Sequence, residues 1–549
     1  MTLSNRSALL SLVLICLVVY LPGLTALPPF DQDEALFAQA SRQMLETGDF
    51  VQIRFQEEAR NRKPALSYWL QAASAWASGT PDAIWPYRVP SIAGLTLATL
   101  LTFWIGLRFF DGSTAFVGAA LFATSINAVT QAHMARADAV LIPLVVAAQG
   151  ALGAAYLHAR ERRPSPRQLW LVFWIAQGLA ILAKGPILIL TSALTILALG
   201  AIDRDWRWLA SLRPMAGAGL AVAIAAPWFV ATTLAGSGNF VGDAIATDLL
   251  PKLLGVDQQH GGPPGYYLAT GLVMAWPATL VLGLAVPLAW RGRGNPAVRF
   301  CLAWIVPTWI FYELIPTKLP HYTLPTYPAL VLLAAAALSS VSQRATPGRQ
   351  WWSIIAWVLV GVGAAAFALA VPWLIDGAPT LWSFGAAAAA AGGVFVGLGL
   401  LRRGDWRRAS IVALVGGSLW SGLMMQVVLP NADGLWLSRR LAEAATRAGA
   451  AVPGGAPPVA VSGYGEPSLV FLLGTRTRLI GGAEAADHIV DNPGAIAAVS
   501  DDTAPEFLAR MEARQRRVHR FDAVSGFDYV WGVWRNLTLY RLEPPPDTH

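Results

Sequence analysis

The four lysines are the charged residues whose types and positions are most suggestive of chemistry. Of 40 basic residues only four are lysine, and each stands beside a proline, a glycine or a carboxylate near the end of an apolar run: Lys63, Lys184, Lys252 and Lys318. An ammonium group is a compact point charge that pairs well with phosphate. Several of them converging would predict a phosphate-bearing ligand at the membrane surface. A chance scatter of lysines in an arginine-rich chain is the alternative, and for Lys252 we favour simple snorkelling toward water.

A cluster of carboxylates follows the first apolar run. Asp31, Asp33 and Glu34 lie within five residues, and the apolar pattern that follows predicts an amphipathic helix in the membrane interface. Helix capping would account for one of these carboxylates but not for all three. The cluster is therefore a candidate catalytic site.

Asp138 is a second candidate, between two apolar runs. Ionisable groups at such a depth are costly and usually face a cavity or a partner. Arg136 is near in sequence, but residues two apart on a helix do not face each other. We therefore expect Asp138 to point into a site.

The elements that must position these residues are membrane spans. The chain is 55% hydrophobic and 13% charged, with a mean hydropathy of +0.49, which excludes a soluble protein. Cys16 and Cys301 lie in apolar runs, which excludes a disulfide framework and a thiolate metal site. About thirteen apolar runs could cross a membrane as helices, and the first is interpreted as a retained helix. They begin near Ala8, Tyr87, Thr114, Asp138, Gln168, Pro186, Pro214, Tyr267, Val298, Tyr322, Trp351, Leu381 and Ser410.

Arginine-rich connections predict the orientation of these spans, because such loops stay in the cytoplasm. The connections around Arg163, Arg207, Arg293 and Arg407 carry most of the arginines of the membrane part. This places the first long loop, residues 28–86, and the segment 431–549 outside. The net charge of +7 follows from this topology, and no nucleic-acid partner is indicated.

The segment 431–549 differs in composition from the rest. It has recurring glycine and proline, and its short apolar runs alternate with helix-like stretches. This pattern predicts a small α/β domain. The chain therefore divides into a transmembrane domain, residues 1–430, with interfacial helices in its loop 28–86, and an outer domain, residues 431–549.

Four motifs carry a resemblance to a known family: Asp33-Glu34 and the segments 62–72, 183–186 and 318–325. Their order and topology resemble the polyprenyl-phosphate-dependent GT-C glycosyltransferases. The nearest likeness is to the bacterial aminoarabinose transferases that modify lipid A, which are related to protein O-mannosyltransferases. The resemblance implies a polytopic α-helical GT-C fold with a small C-terminal α/β domain in the periplasm.

The resemblance also implies roles for single residues. Asp33, with Glu34 beside it, corresponds to the essential acidic motif, and Asp138 to the second acid of the cavity. The phosphate of the lipid donor would be held by Lys63, Lys184, Lys318 and Tyr322, with Arg62 and His321 as neighbours in the same motifs.

Two positions depart from the family pattern. Arg62 stands where the family commonly has a glutamate, and Leu36 where it commonly has an arginine. The first change removes a carboxylate that can bind a metal, so His260 loses its most obvious partner as a metal ligand. We therefore predict no specific cofactor, and a divalent metal is not supported by the sequence.

The expected function is an inverting glycosyltransferase. It would move a sugar, aminoarabinose-like or another pentose or hexose, from undecaprenyl phosphate to lipid A or another envelope acceptor at the periplasmic face of the bacterial inner membrane. The chain has no phosphate-binding glycine fingerprint, in agreement with a donor that needs no nucleotide. A protein acceptor is one alternative. A membrane transporter is another, but no repeated halves are visible.

Overall fold

The computed structural model describes residues 4–236, 240–251, 261–340, 351–449 and 458–543. Apolar runs form helices because only a helix satisfies every backbone group within one segment in a bilayer. The α-helices before the C-terminal domain are Asn5–Tyr20, Asp33–Thr47, Leu66–Ser78, Trp85–Phe109, Gly112–Ala123, Ile126–Ala132, Ala137–Arg160, Gln168–Lys184, Ile187–Asp203, Pro214–Leu234, Phe240–Ala244, Tyr266–Met274, Thr279–Arg291, Pro296–Leu314, Tyr327–Ser340, Trp351–Asp376, Leu381–Arg402 and Trp406–Leu423.

Among the described residues, eight helices are long and apolar enough to cross a membrane, or nine if the bent pair Gly112–Ala123 and Ile126–Ala132 forms one span. Four shorter apolar helices accompany them. The prediction of a polytopic helical membrane protein is therefore confirmed. Each of the predicted apolar runs has a helix at its position, while the count of thirteen spans stays a prediction.

Short polar signals begin and end several of these helices. Asp111 accepts hydrogen bonds from the backbone N–H groups of Ser113 and Thr114 at the start of one helix, and Asn295 caps another in the same way. Gly185, with a φ of +77°, separates Gln168–Lys184 from Ile187–Asp203. These two helices are therefore distinct, and the predicted Lys-Gly-Pro motif lies at their junction.

The predicted helix after the first span is present as Asp33–Thr47, but its surroundings differ from the expectation of an interfacial helix. Ten of its 15 residues are buried. Phe37 stacks on Tyr68 of the next helix with 4.8 Å between ring centroids, and the Arg42 guanidinium donates to the Phe471 carbonyl oxygen at 2.9 Å. Protein therefore covers this helix on most sides.

Two short strands in the first loop, β1 Arg54–Phe55 and β2 Glu58–Ala59, form a separate hairpin, and the C-terminal domain contains the strands β3 Ala460–Ser462, β4 Arg478–Leu479, β5 Ala497–Ser500, β6 Val518–Asp528 and β7 Val533–Leu542. These five strands form one sheet in the order β4-β3-β5-β7-β6. β3 pairs in parallel with β4 and β5, whereas β7 is antiparallel to β5 and β6. The predicted small α/β domain is thus confirmed. Its helices are Leu437–Arg447, Pro467–Leu473, Gly482–Asp491 and Ala504–Ala513.

Candidate active site

Asp33 is the first residue of the helix Asp33–Thr47, and its carboxylate forms an ion pair with Arg136. The side chain of Asp33 is 50% exposed, so one part of the carboxylate is open to a ligand. Burial raises the pKa of the Asp33 carboxyl, but the positive charges of Arg136 and Arg60 outweigh it and hold this pKa below its usual value. Asp33 is therefore ionised at neutral pH.

Asp138 lies in the first turn of the helix Ala137–Arg160 and pairs with Lys184, the last residue of Gln168–Lys184. The Nε2 atom of His321 is 3.7 Å from the same carboxylate oxygen, Oδ1. The side chains of Asp138 and Lys184 are 14% and 11% exposed. Three chain segments that are distant in sequence thus meet at Asp138. Arg136, two residues before it, forms its ion pair with Asp33 instead.

Close packing between two helices helps to place Asp138. Gly94 lies on Trp85–Phe109, and a Cβ atom added there would overlap the Ala139 carbonyl oxygen. Any larger residue would therefore push the helix Ala137–Arg160 away. Gly94 is needed for the close approach that brings Asp138 to its partners.

A row of tyrosine rings lies next to Lys184. Its ammonium group lies 5.7 Å from the centroid of the Tyr322 ring. The rings of Tyr322 and Tyr312 are 6.0 Å apart, and those of Tyr312 and Tyr267 are 6.4 Å apart. Of the predicted phosphate-binding residues, the structure therefore brings Lys184, His321 and Tyr322 together beside Asp138.

The other predicted cations have different surroundings. Lys318 is 5% exposed, and its ammonium lies 3.3 Å from Oε1 of Glu313 and donates to the Pro263 carbonyl oxygen at 3.2 Å. Lys63 is half-buried and Arg62 is exposed, just before the helix Leu66–Ser78. Two further predicted residues, Lys252 and His260, lie outside the described residues.

Glu34 has a structural environment unlike that of Asp33. Both of its carboxylate oxygens accept hydrogen bonds at 2.8 Å from the guanidinium of Arg88, and both side chains are fully buried. Glu34 also accepts from the backbone N–H groups of Phe30 and Ala135 at 2.8 and 2.9 Å. Its catalytic role stays a prediction. In the structure the buried Glu34 carboxylate joins the first loop to the segment carrying Arg136.

Sequence reasoning missed Arg88, Arg60 and the contacts of Asp31. Arg88 could have been found, because a lone arginine inside an apolar run needs a buried partner. Arg60 lies over the Phe37 ring, 5.7 Å from its centroid, and no local pattern marks it. The carboxylate of Asp31 accepts from Ser468 of the C-terminal domain, a contact between residues 437 positions apart.

The arrangement can hold an anionic ligand and accept a proton. The two carboxylates of Asp33 and Asp138 lie among three cations, Arg136, Lys184 and Arg60. A site whose carboxylates are already neutralised can take up a phosphate without an opposing negative field. The half-exposed Asp33 is the carboxylate with room for a substrate group.

Comparison with known proteins places this geometry in context. The family model for dolichyl-phosphate-mannose-protein mannosyltransferase matches residues 62–230. The chain is 29% identical to the undecaprenyl phosphate-alpha-4-amino-4-deoxy-L-arabinose arabinosyl transferase of Erwinia tasmaniensis over 55% of this chain and 54% of that one. It is 26% identical to the protein of the same name from Pectobacterium atrosepticum over 66% and 65% of the two chains. The matches thus span between about half and two thirds of these relatives.

Solved structures agree in fold. The crystal structure of ArnT from Cupriavidus metallidurans bound to undecaprenyl phosphate has a TM-score of 0.72 at 20% identity, over 96% of this chain and 97% of that one. The archaeal oligosaccharyltransferase AglB from Archaeoglobus fulgidus, solved with an inhibitory peptide and a dolichol-phosphate, has a TM-score of 0.51 at 12% identity, over 90% and 69%. The chain therefore has the fold of the GT-C glycosyltransferases, and the resemblance to that family, close to the aminoarabinose transferases, is confirmed.

Proposed function

We propose that the chain is an inverting glycosyltransferase that moves a sugar from a polyprenyl phosphate to an envelope acceptor. The observation that carries this proposal is the pair of neighbouring ion pairs, Asp33 with Arg136 and Asp138 with Lys184. A phosphate-linked sugar needs cations around its leaving group and a carboxylate near the reacting carbon. The site offers both.

The residues divide the reaction between them. The acceptor oxygen attacks the anomeric carbon, the bond from that carbon to the phosphate oxygen breaks, and the proton of an acceptor hydroxyl passes to Asp33. Lys184 stabilises the charge that develops on the leaving phosphate, and Tyr322 and His321 complete that side of the site. If the acceptor group is itself a phosphate, it is already anionic. Asp33 then orients the acceptor and stabilises the transition state rather than taking a proton.

A lipid-linked donor and a lipid acceptor are supported by an apolar cavity of about 700 Å³. Phe30 and Met134 line it, three residues before Asp33 and two before Arg136, and Phe367 and Met424 form part of its other walls. Through Phe30 and Met134 the cavity adjoins the two segments that carry Asp33 and Arg136. Lipid A is accordingly the proposed acceptor, and a protein acceptor is the second candidate, since the matching family model describes protein mannosyltransferases.

The proposed location is the bacterial inner membrane, with the site and the C-terminal domain in the periplasm. The contact of Asp31 with Ser468 supports a common side for the two, because the C-terminal domain meets the loop that carries Asp33. We assign residues 1–430 to the transmembrane domain and 431–549 to the outer domain.

The test is a transfer assay with the purified protein, undecaprenyl phosphate aminoarabinose as donor, and either lipid A or an acceptor peptide. We expect a mass increase of one sugar on lipid A. Mass spectrometry of lipids from a deletion strain supplies the second measurement, since the modified lipid should be missing. Transfer to the peptide alone would favour the second candidate, and transfer to neither would contradict the proposal.

A further inference from the structure

Asp31, two positions before Asp33, is held by hydrogen bonds with the C-terminal domain. The carboxylate of Asp31 accepts from the hydroxyl groups of Ser468 and, at 3.4 Å, Ser438. Its backbone N–H donates to the hydroxyl oxygen of Tyr529 at 2.7 Å. The carboxylate and the backbone N–H of Asp31 are therefore both fixed by residues of the C-terminal domain.

Gln32, directly before Asp33, has a conformation that its own sequence does not favour. Its φ is +61°, in the region that a residue with a side chain rarely adopts. Such a conformation persists only when surrounding contacts hold it. The side-chain amide of Gln32 donates to the two carboxylate oxygens of Glu466 at 3.4 and 3.3 Å, and Glu466 is 3% exposed.

We propose that Glu466 and Ser468 are positioning residues for Asp33. They hold the turn at Asp31 and Gln32. The backbone torsions of Gln32 in turn set the direction in which the side chain of Asp33 projects from the backbone. This inference rests on the proposed function. Small displacements of a reacting group lower catalytic rates strongly, so release of the turn should slow transfer although neither residue touches the substrate.

Other contacts keep the C-terminal domain docked when Glu466 is changed. Gln39 donates to the Thr475 hydroxyl at 2.7 Å, Arg42 to the Phe471 carbonyl oxygen at 2.9 Å, and Phe30 packs on Trp436 with 5.3 Å between ring centroids. The effect of Glu466 on the turn is therefore separable from docking. Thr475→Val removes the hydrogen bonds that the Thr475 hydroxyl makes with Gln39 and Glu46 at the same interface and keeps the shape, so it is a matched control.

The experiment compares kcat and KM of purified full-length variants with the undecaprenyl phosphate donor. We expect Glu466→Ala and Ser468→Ala to lower kcat about tenfold with little change in KM, while Thr475→Val retains wild-type values. Glu466→Gln should recover most of the rate, because its amide oxygen still accepts from Gln32. In an Asp33→Asn background, Glu466→Ala should add no further loss, since it acts through Asp33.

Equal kcat in Glu466→Ala, Ser468→Ala and Thr475→Val would overturn the inference. So would a loss in the Asp33→Asn background as large as in the wild type, because that indicates a general structural effect. If Glu466→Ala does not fold, Ser468→Ala and Glu466→Gln carry the same comparison. Absence of transfer by the wild-type protein contradicts the proposed function itself and is recognised before any variant is measured.

Discussion

The carboxylate of Asp33 pairs with the guanidinium of Arg136, a residue 103 positions further along the chain. This contact joins the start of the first loop helix to the residue before the helix that carries Asp138. The two acids that the sequence indicates as functional are thereby brought into one site.

The first prediction concerns Asp33→Asn. The amide keeps the size of the carboxylate but removes its charge, so transfer should fall about a hundredfold or more, as expected for loss of a charge near a developing oxocarbenium centre. The variant should still purify as a monodisperse protein. Asp31→Asn, the control, retains an oxygen that accepts from Ser468 and should be much milder. Unchanged transfer in Asp33→Asn would remove it from the catalytic site.

Lys184→Ala should cost stability as well as activity. From its position at a helix end the sequence predicts a surface cation, but in the structure Lys184 pairs with a nearly buried Asp138. Removing one partner of a buried pair typically costs about 3 kcal/mol. The double variant Lys184→Ala and Asp138→Asn should recover most of this loss in thermal unfolding while staying inactive. A melting temperature as low as that of the single variant would argue against the pair as the cause.

Arg88→Ala should impair folding more than any substitution at Asp33. It would leave the fully buried carboxylate of Glu34 without its cation, at a typical cost of about 3–5 kcal/mol. Glu34→Gln should be less damaging, because the amide oxygen can still accept from Arg88. Folded yield and melting temperature are the measurements. Normal folding with lost transfer in Glu34→Gln would instead support a catalytic role for Glu34.

The contact between the first loop and the C-terminal domain should weaken as pH rises. Burial raises the pKa of Asp31 to about 6 and that of Glu466 to about 7. The negative charge of Asp528 raises both pKa values further, and that of Asp31 raises the pKa of Glu466. A carboxyl with a raised folded-state pKa contributes stability that is complete below its unfolded pKa and lost as pH rises through the folded value. Tyr464 and Tyr529 also face this cluster but ionise far above neutrality.

Hydrogen exchange of the backbone at residues 30–34 measures this effect. Exchange, corrected for its intrinsic pH dependence, should be better protected at pH 5.5 than at pH 8. In Glu466→Gln the difference should shrink, because only Asp31 then titrates. Equal protection at both pH values in the wild type would show that these carboxyls do not control the contact.

The topology prediction follows from the arginine-rich loops and the odd number of spans. A reporter that is active only outside the cytoplasm should be active after His549 and silent at Arg163. The reverse pattern would place Asp33 and Lys184 in the cytoplasm, where a periplasmic transfer reaction cannot occur.

The sequence by itself determined the membrane class, the order of the helices and the candidate residues Asp33, Asp138 and Lys184. These follow from local properties: the length of apolar runs, the spacing of charges between them and short motifs at helix ends. The α/β character of the C-terminal domain was likewise readable from alternating short apolar runs and glycine-rich turns.

Only the tertiary structure decided which charges pair. Asp138 meets Lys184 across 46 residues and Glu34 meets Arg88 across 54, and no helical or strand periodicity reaches over such separations. Because sequence periodicity does not reach that far, it also could not predict the burial of the helix Asp33–Thr47 or the hydrogen bonds between Gln32 and Glu466. A partner's identity depends on which helix ends and domain surfaces come together in three dimensions, and packing determines that.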